Sequence, residues 1–438
     1  MLRHQAAGQA LVPALGFAAL LAALLLWVVG LGQTITDKIR LQNAADAAAY
    51  SAAQWQARAL NFQAYTNRAI VANEVAIAQF VSLRSWSQYV QQTLGNTAAV
   101  GRYVPPAAAT LQALSRGWSA VNSGIQSTLP LIETGISHWN VDVLARTQAI
   151  AHQQALIGSA ELVPQVARYH DPRIEVAGGT RLLQLANAAG WQNRLTARYR
   201  RGSGELARVS QLLMDSRDGF SAERRNNLLF SNPLLKLPKR GGTDLLAERG
   251  WRGMDSLSLH INYFFGSTEV PYGWGAAENR LQPVTVRGVH GGSWNDNYRA
   301  TRNAERALVA RNGYAGLPEV RDIVQPQRQQ DLRLGYSVHL ALPQQRLWTA
   351  AREVTPALHL PSGDVLHLGT TLPSDALHAL ASAEVFFQRP TERADGRAEY
   401  PSLFNPYWQV HLLPVSARTR SLTAPSRGVA LDPYAVLP

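Results

Sequence analysis

Residues 10–31 read ALVPALGFAALLAALLLWVVGL, and residues 36–79 read TDKIRLQNAADAAAYSAAQWQARALNFQAYTNRAIVANEVAIAQ. The first stretch holds 22 apolar or small residues and no charge. At about 1.5 Å of rise per helical residue it matches a hydrocarbon core of about 30 Å. It lacks the polar face of a buried soluble helix. It also exceeds the ~7–15-residue apolar core of a cleaved secretory signal, for which Gly30-Leu31-Gly32 is a poor exit site. The reading that fits is an uncleaved, single-pass transmembrane helix over 10–32, since no second apolar run of this length follows in the 438 residues. Arg3 before the span and Asp37, Lys38 and Arg40 after it do not set its orientation. A leader of residues 1–9 and a large downstream body favour a cytoplasmic N-terminus with the bulk outside.

The second stretch predicts a stalk helix over 33–95. No proline intervenes between Gly32 and Pro105, and Ala, Gln, Leu, Arg and Glu dominate. A stripe runs through Leu41, Ala45, Ala48, Ala52, Trp55, Ala59, Phe62 and onward to Val90. Its spacing is about 3.5 residues, the repeat at which one helix keeps facing another. Ile70, Val71, Val75, Ile77 and Val81 widen that face. The stripe suits either a long helix packed on its own domain or a contact between molecules. Ala14, Ala18 and Ala22 form a small-xxx-small row in the span, of the kind that lets membrane helices approach. The candidate helix-packing residues are therefore Ala14, Ala18, Ala22, Leu41, Ala45, Ala48, Ala52 and Trp55. A single helix from about Pro13 to Thr93 would be roughly 120 Å long.

Gly8-Gln9-Ala10, the apolar helix, and the block Leu41 to Ala49 (LQNAADAAA) together resemble the N-terminal region of TadE/TadG-like proteins of Flp (tight-adherence) pilus assembly. The resemblance covers residues 8 to 55. It implies a bacterial inner-membrane protein exposed to the periplasm, with pilus-assembly or pilin-like partners and self-association among its expected contacts. It also marks Gly8 and Gln9 as a leader cleavage site. Prepilin processing in such systems cuts after a glycine and places a glutamate five residues beyond. Here that position is Pro13, and no acidic residue lies between Arg3 and Thr36. This departure points to an anchored accessory component rather than a shaft-forming pilin.

Beyond the stalk, 96–250 reads as a helical region with breaks near Gly124, Pro130 and Pro164. Residues 204–216 form a further helix, and Asn232–Gly242 (NPLLKLPKRGG) a linker or exposed turn. From 251 to 438 the pattern alternates like half-buried strands: Leu257–Phe265, PVTVRG at 283–288, Leu334–Leu342, Ala357–Thr371, Ser382–Arg389 and Tyr407–Val415. Pro361-Ser362-Gly363-Asp364 reads as a hairpin turn. The fold class is α+β, with the transmembrane and stalk helix, a helical middle and a mostly antiparallel, β-rich periplasmic domain.

Zero cysteines exclude disulfides, thiol nucleophiles and Cys-ligated metals. No GxSxG elbow, HExxH or Walker loop is present. Gly202-Ser203-Gly204 follows no strand, and Asn295-Asp296-Asn297 lacks the rest of a calcium loop. His359 and His367 flank the hairpin turn, either as structural residues or as a metal pair. No catalytic residue, metal or cofactor is expected, and the chain reads as a non-enzyme. An envelope enzyme or a carbohydrate- or protein-binding module in the β domain is the alternative. The net charge of +12 is spread over short patches at Arg198, Arg200 and Arg201, at Arg224 and Arg225, and at Lys236, Lys239 and Arg240. These suit a solvated surface or attraction to anionic lipid or polymer better than nucleic acid. The aromatics Tyr263, Phe264, Phe265, Tyr272, Trp274, Phe404, Tyr407 and Trp408 serve either a core or an interaction surface.

Overall fold

The structure, a computed structural model, describes residues 11–192, 197–200, 202–281, 294–323, 331–347, 357–359, 365–367, 376–397 and 399–424. Span and stalk form one uninterrupted helix, α1 (Leu11–Gly101), of 91 residues. At 1.5 Å per residue it is about 137 Å long. The next two helices and the central strands of both sheets pack on it.

The helical middle is α2 (Pro105–His138), a π-helical segment (Trp139–Ala145), and α3 (Arg146–His170). The breaks expected at Gly124, Pro130 and Pro164 do not occur, because tertiary contacts bridge them. A mid-helix proline costs about 3 kcal/mol. On one side of Pro130, Gln126 Nε2 donates to the Arg84 carbonyl at 2.9 Å; on the other, Glu133 pairs with the Arg84 guanidinium at 3.0 Å. In α3 the buried residues Gln148, His152, Ala155, Ser159, Val163 and Ala167 recur every three or four positions, straight through Pro164.

Two sheets sit along α1. Chain order from α3 runs through β1 (Glu175–Val176), α4 (Gly179–Gly190), β2 (Ala197–Arg198) and α5 (Gly204–Asp215). Next come β3 (Arg224–Ser231), β4 (Leu235–Leu246), β5 (Gly250–Tyr263), β6 (Gly266–Arg280), α6 (Tyr298–Arg306) and β7 (Val309–Arg311). The chain continues through β8 (Arg321–Asp322), β9 (Arg333–Pro343), the pair β10 (Ala357–His359) and β11 (Val365–His367), then β12 (Ala376–Phe387), β13 (Trp408–Leu413) and α7 (Ala417–Thr423). The first sheet has the order β1-β9-β12-β13 and is antiparallel throughout. The second has the order β3-β4-β5-β6-β7, parallel only between β6 and β7. The expected strands at 257–265, 334–342, 382–389 and 407–415 thus exist. The one at 283–288 and the turn at 361–364 lie outside the described residues, although β10 and β11 pair antiparallel as that turn implies.

The stretch 232–242 is not a linker. Only its start is a turn, and Leu235 onward is strand. Pro238 lies where the β3 ladder changes register, and on the β5 side it falls between paired positions. The β3 register shifts between Asn227 and Ser231, while the β5 ladder keeps one register from Lys236↔His260 to Lys239↔Leu257, with no pair at Leu237 or Pro238. The first two strands of this sheet, at 224–246, fall within the region read as helical.

Candidate functional site

The α1 helix is the feature on which a functional reading rests, and it divides into three stretches. From Leu11 to about Gly32 almost nothing covers it. The apolar window has a mean hydropathy of 2.5 with 6 % of its residues buried, and among the described residues this is the one helix long and apolar enough to cross a membrane. Ala14, Ala18 and Ala22 are exposed here, beside Leu15, Leu21 and Leu25. Gly8 and Gln9 lie outside the described residues. At the exit, Asp37 is buried and paired with Arg173 at 2.8 Å, which also holds Asp171 at 2.7 Å. That guanidinium keeps the Asp171 carboxyl below its ordinary pKa.

The second stretch, Leu41 to Leu60, is an alanine-lined seat for the first sheet and α3. Leu41, Ala45, Ala48 and Ala52 are fully buried, and their cover is intramolecular. It comes from Ala155, Val163 and Ala167 of α3, Tyr336, Val338 and Leu340 of β9, and Ala381 and Ala383 of β12. On β9 the residues Leu334, Tyr336, Val338, Leu340 and Leu342 alternate inward, as the period of a strand requires. The open question of the stripe is therefore answered for these four residues: they face their own domain. Trp55 is different. It lies at the rim, 41 % exposed, with its indole N–H donating to the Gln154 carbonyl at 3.1 Å. Gly158 makes room beneath it, since a Cβ there would stand 2.5 Å from Nε1.

The third stretch, about Ile70 to Thr97, meets the second sheet through polar groups. Ser85 Oγ donates to Asp255 Oδ2 at 2.7 Å, Gln88 accepts from the Ala276 N–H at 3.1 Å, and Asn96 donates to the Tyr272 carbonyl at 2.7 Å. Close approach is provided by glycine on the sheet. A Cβ on Gly275 would lie 2.1 Å from the Ser85 carbonyl oxygen and 2.5 Å from the Tyr89 nitrogen. These are backbone atoms with no room to yield. Where the two seats adjoin, Glu74 is fully buried and accepts from Trp251 Nε1 (2.9 Å), Tyr314 OH (2.8 Å) and Asn140 Nδ2 (2.9 Å). Burial pushes its pKa up, while the Trp251, Asn140 and Tyr314 hydrogen bonds hold it back. Asn140 belongs to the π-helical segment, whose wider turn shifts the register of the helix (a frequent mark of functional or strained sites).

Of the basic patches, Arg201 lies outside the described residues, while Arg224, Arg225, Lys239 and Arg240 are held in ion pairs. Arg224 and Lys239 converge on buried Asp255, Lys239 lies 4.2 Å over the Tyr89 ring, and Arg240 pairs with Asp296 at 2.8 Å. Burial pushes Tyr89 up to about 12. Asn297 is a buried latch, donating to the Pro238 and Ser256 carbonyls at 2.9 and 3.3 Å and accepting from His260 Nε2 at 3.1 Å. Asp296 and Asn297 of the Asn-Asp-Asn run are thus both engaged within the chain. Ser203 caps α5 by accepting from the Leu206 N–H. The Gly202 N–H donates to Glu248 Oε2 at 3.0 Å. In the β10–β11 pair His359 stands opposite Val365 and His367 opposite Ala357, so the two histidines are not directly opposed. Among the described residues no group of three or more His, Asp or Glu could hold a metal ion.

The aromatics separate into two sets. Trp408 is buried, and Trp274, Tyr272, Phe404 and Tyr407 are half-buried. Tyr263, Phe264 and Phe265 form the exposed β5–β6 tip, with Phe264 94 % and Phe265 91 % exposed. Trp251 meets Glu74 and Tyr272 meets Asn96, so β5 ascends with α1 and this tip lies at the end far from the span.

Residues 8–55 match the family model described as putative Flp pilus-assembly TadE/G-like. No curated protein and no solved structure matches the chain. The N-terminal region is therefore TadE/G-like, and the matched stretch takes in the span together with most of the alanine-lined seat.

Proposed function

We propose that this chain is a non-catalytic, single-pass inner-membrane component of a Flp/Tad-type pilus-assembly or related secretion apparatus, with a cytoplasmic N-terminus and a periplasmic body. The observation that carries the reading is the continuity of α1. One rigid helix leaves the bare apolar segment and becomes the spine on which both sheets are built, so a displacement of the span reaches the body without a hinge. The family match over exactly that junction supports membership of an assembly rather than solitary action. Other pilus-assembly helices would meet the exposed Ala14-Ala18-Ala22 row, where small residues permit close packing. Purification from the native membrane after crosslinking tests this: pilus-assembly proteins are expected in the crosslinked material, and their absence overturns the reading. Alkaline carbonate extraction tests the anchor separately, since an inserted chain stays in the pellet.

A second reading, a protein-binding module, is favoured by the exposed Tyr263-Phe264-Phe265 tip, because aromatic anchors dominate interfaces. Phe264→Ser with Phe265→Ser separates the two readings: it should abolish co-purification only if the tip, and not the span, recruits the partner.

A further inference from the structure

The outer side of α2 carries large apolar residues in the open. Leu114, Val121, Leu131, Ile132 and Trp139, just beyond the end of the helix, are between 41 and 74 % exposed. At about 100° of turn per residue, Leu114, Val121, Ile132 and Trp139 fall within about 20° of one another. Gly117, Gly124 and Gly135 form a second row about 60° to one side, with Leu131 beyond it. Glycine is the poorest helix former after proline, so three on one face call for a packing reason. The chain itself supplies none, since a Cβ at any of the three would meet no atom within 4 Å. Gly158, by contrast, is filled by Trp55, and Gly275 by the backbone of α1.

The face is also uncharged. Between Pro105 and Ser137 the charged residues are Arg116 and Glu133. Glu133 is buried against Arg84, and Arg116 lies about 160° around the helix from Leu114. A chain of net charge +12 repels its own copies except where such a face can meet another. An acidic partner or an anionic lipid would call for cations that α2 does not place here.

Position removes the bilayer of the span from consideration. Along α2, Trp118 donates to the Ser87 carbonyl at 3.0 Å, and Asn140 beyond its end accepts from Asn73 at 2.7 Å. Those points on α1 stand about 80 and 60 Å past Gly32. Two copies anchored in one bilayer run parallel, so a two-fold axis along the helices sets each residue of the face against itself. The spacings of seven and eleven residues (114 to 121 to 132, and 117 to 124 to 135) keep one helix facing another.

The area suffices as well. Ile150 and Ile157 continue the exposed apolar positions along α3. At about 100–150 Å² for a whole large apolar side chain, the open surface is roughly 400–600 Å² per copy. A homodimer interface of about 800 Å² per partner, about 65 % apolar, needs roughly 500 Å².

We propose that the apolar outer face of α2 is a dimerisation surface, and that its occupant is the same face of a second copy, parallel and in register. The glycines let the two backbones approach closely, with Leu114, Val121 and Leu131 packing to either side. The parallel sense rests on the span crossing a membrane and not on the pilus role.

A chain without cysteine makes the test direct. Val121→Cys, in the full chain in its native membrane, should form a disulfide-linked dimer on mild oxidation, because the two copies of this position come within disulfide reach. Arg116→Cys, exposed on another side of the same helix, should not. Gly124→Leu fills space that is open in the single chain and installs a better helix former, so the Tm of the monomer should not fall. It should nonetheless raise the dimer dissociation constant tenfold or more, read by native mass spectrometry of the full chain in neutral detergent. Equal crosslinking of the two cysteine variants, or a dimer indifferent to Gly124→Leu, overturns the surface. A photocrosslinker attached to the Val121→Cys variant that labels a different protein, and not a second copy, would give the face to another helix and overturn the self-pairing. A chain that stays in the carbonate pellet yet does not crosslink at Val121 fails this inference alone and leaves the anchor standing.

Discussion

The same helix carries two sheets by opposite means. Between Leu41 and Leu60 the helix is small and the sheet is large: Ala44, Ala45, Ala48, Ala49, Ala52 and Ala53 face Leu334, Tyr336, Val338 and Leu340. Between Val81 and Thr97 the sheet is small and the helix is large, with Gly253, Gly273 and Gly275 set under Ser85, Tyr89 and Thr93. The first contact is mainly apolar, with Gln42 and Gln56 bonding across it, and the second is bridged chiefly by hydrogen bonds. An alanine-rich helix face is therefore not by itself a sign of a partner helix. Whichever side supplies the small residues, the close approach is the same.

The largest effect should come from filling the glycine side. In Gly275→Val the new side chain meets the Ser85 carbonyl and the Tyr89 nitrogen. Neither can move without breaking the α1 ladder, so the cost should be about 4 kcal/mol, above the usual overpacking range of about 1–3 kcal/mol. Hydrogen exchange should show lost protection in β5 and β6 with β9 and β12 retained. Uniform loss over both sheets would mean that the two seats are one cooperative unit.

Acid should separate the seats by sign. His152 lies beside the first seat, its ring 5.3 Å from that of Trp191, and burial together with Arg321 lowers its pKa from 6.5 to about 4. A histidine depressed in this way stabilises the fold above its unfolded value, and that contribution is lost as pH falls from 6.5 toward 4. Its upper limit is about 3 kcal/mol. Glu74, whose pKa is raised above 4.5, acts in the opposite sense. Its contribution is present at low pH and fades as pH rises through its folded value. Exchange rates corrected for intrinsic pH dependence should therefore rise first in α3, β9 and β12 on acidification, while the region around Trp251 and Tyr314 holds. His152→Gln should remove the difference.

How much of this was legible in the sequence follows from the same contrast. The helix, its length and the alternating strands β9, β12 and β13 were readable because their periods repeat over many residues. The span was readable from composition alone. The strand β6 (GSTEVPYGWGAAENR) was not, because the glycines that seat α1 remove the hydrophobic alternation that announces a strand. Likewise Pro130 and Pro164 pointed to breaks that packing against α1 overrides. The buried Glu74 cluster could not be read at all, since Asn140, Trp251 and Tyr314 lie 66, 177 and 240 positions from it in the chain and only the fold joins them. The eight helix-packing residues were recognisable as small or apolar, but their partner was not. Local pattern tells which face is buried, and only tertiary structure tells against what.

The smallest effect is also the one that bears most on function. Ala48 and Ala18 are both alanines on α1, yet the first is fully covered by the chain itself and the second is exposed. Ala48→Leu adds three carbons to a closed contact and should lower stability by about 2 kcal/mol, read as a fall in Tm of the purified chain. Ala18→Leu should change Tm by no more than the equivalent of about 0.5 kcal/mol, because nothing in the body touches it. If the row through Ala14, Ala18 and Ala22 is where other membrane helices dock, Ala18→Leu should nonetheless reduce crosslinking to them, by blocking the approach that small residues allow. Ala48→Leu should reduce crosslinking only in proportion to the protein it unfolds. Unchanged crosslinking in Ala18→Leu would transfer the assembly surface from the span to the body, where the exposed rim at Trp55 and the Phe264–Phe265 tip are apolar contacts on which to look.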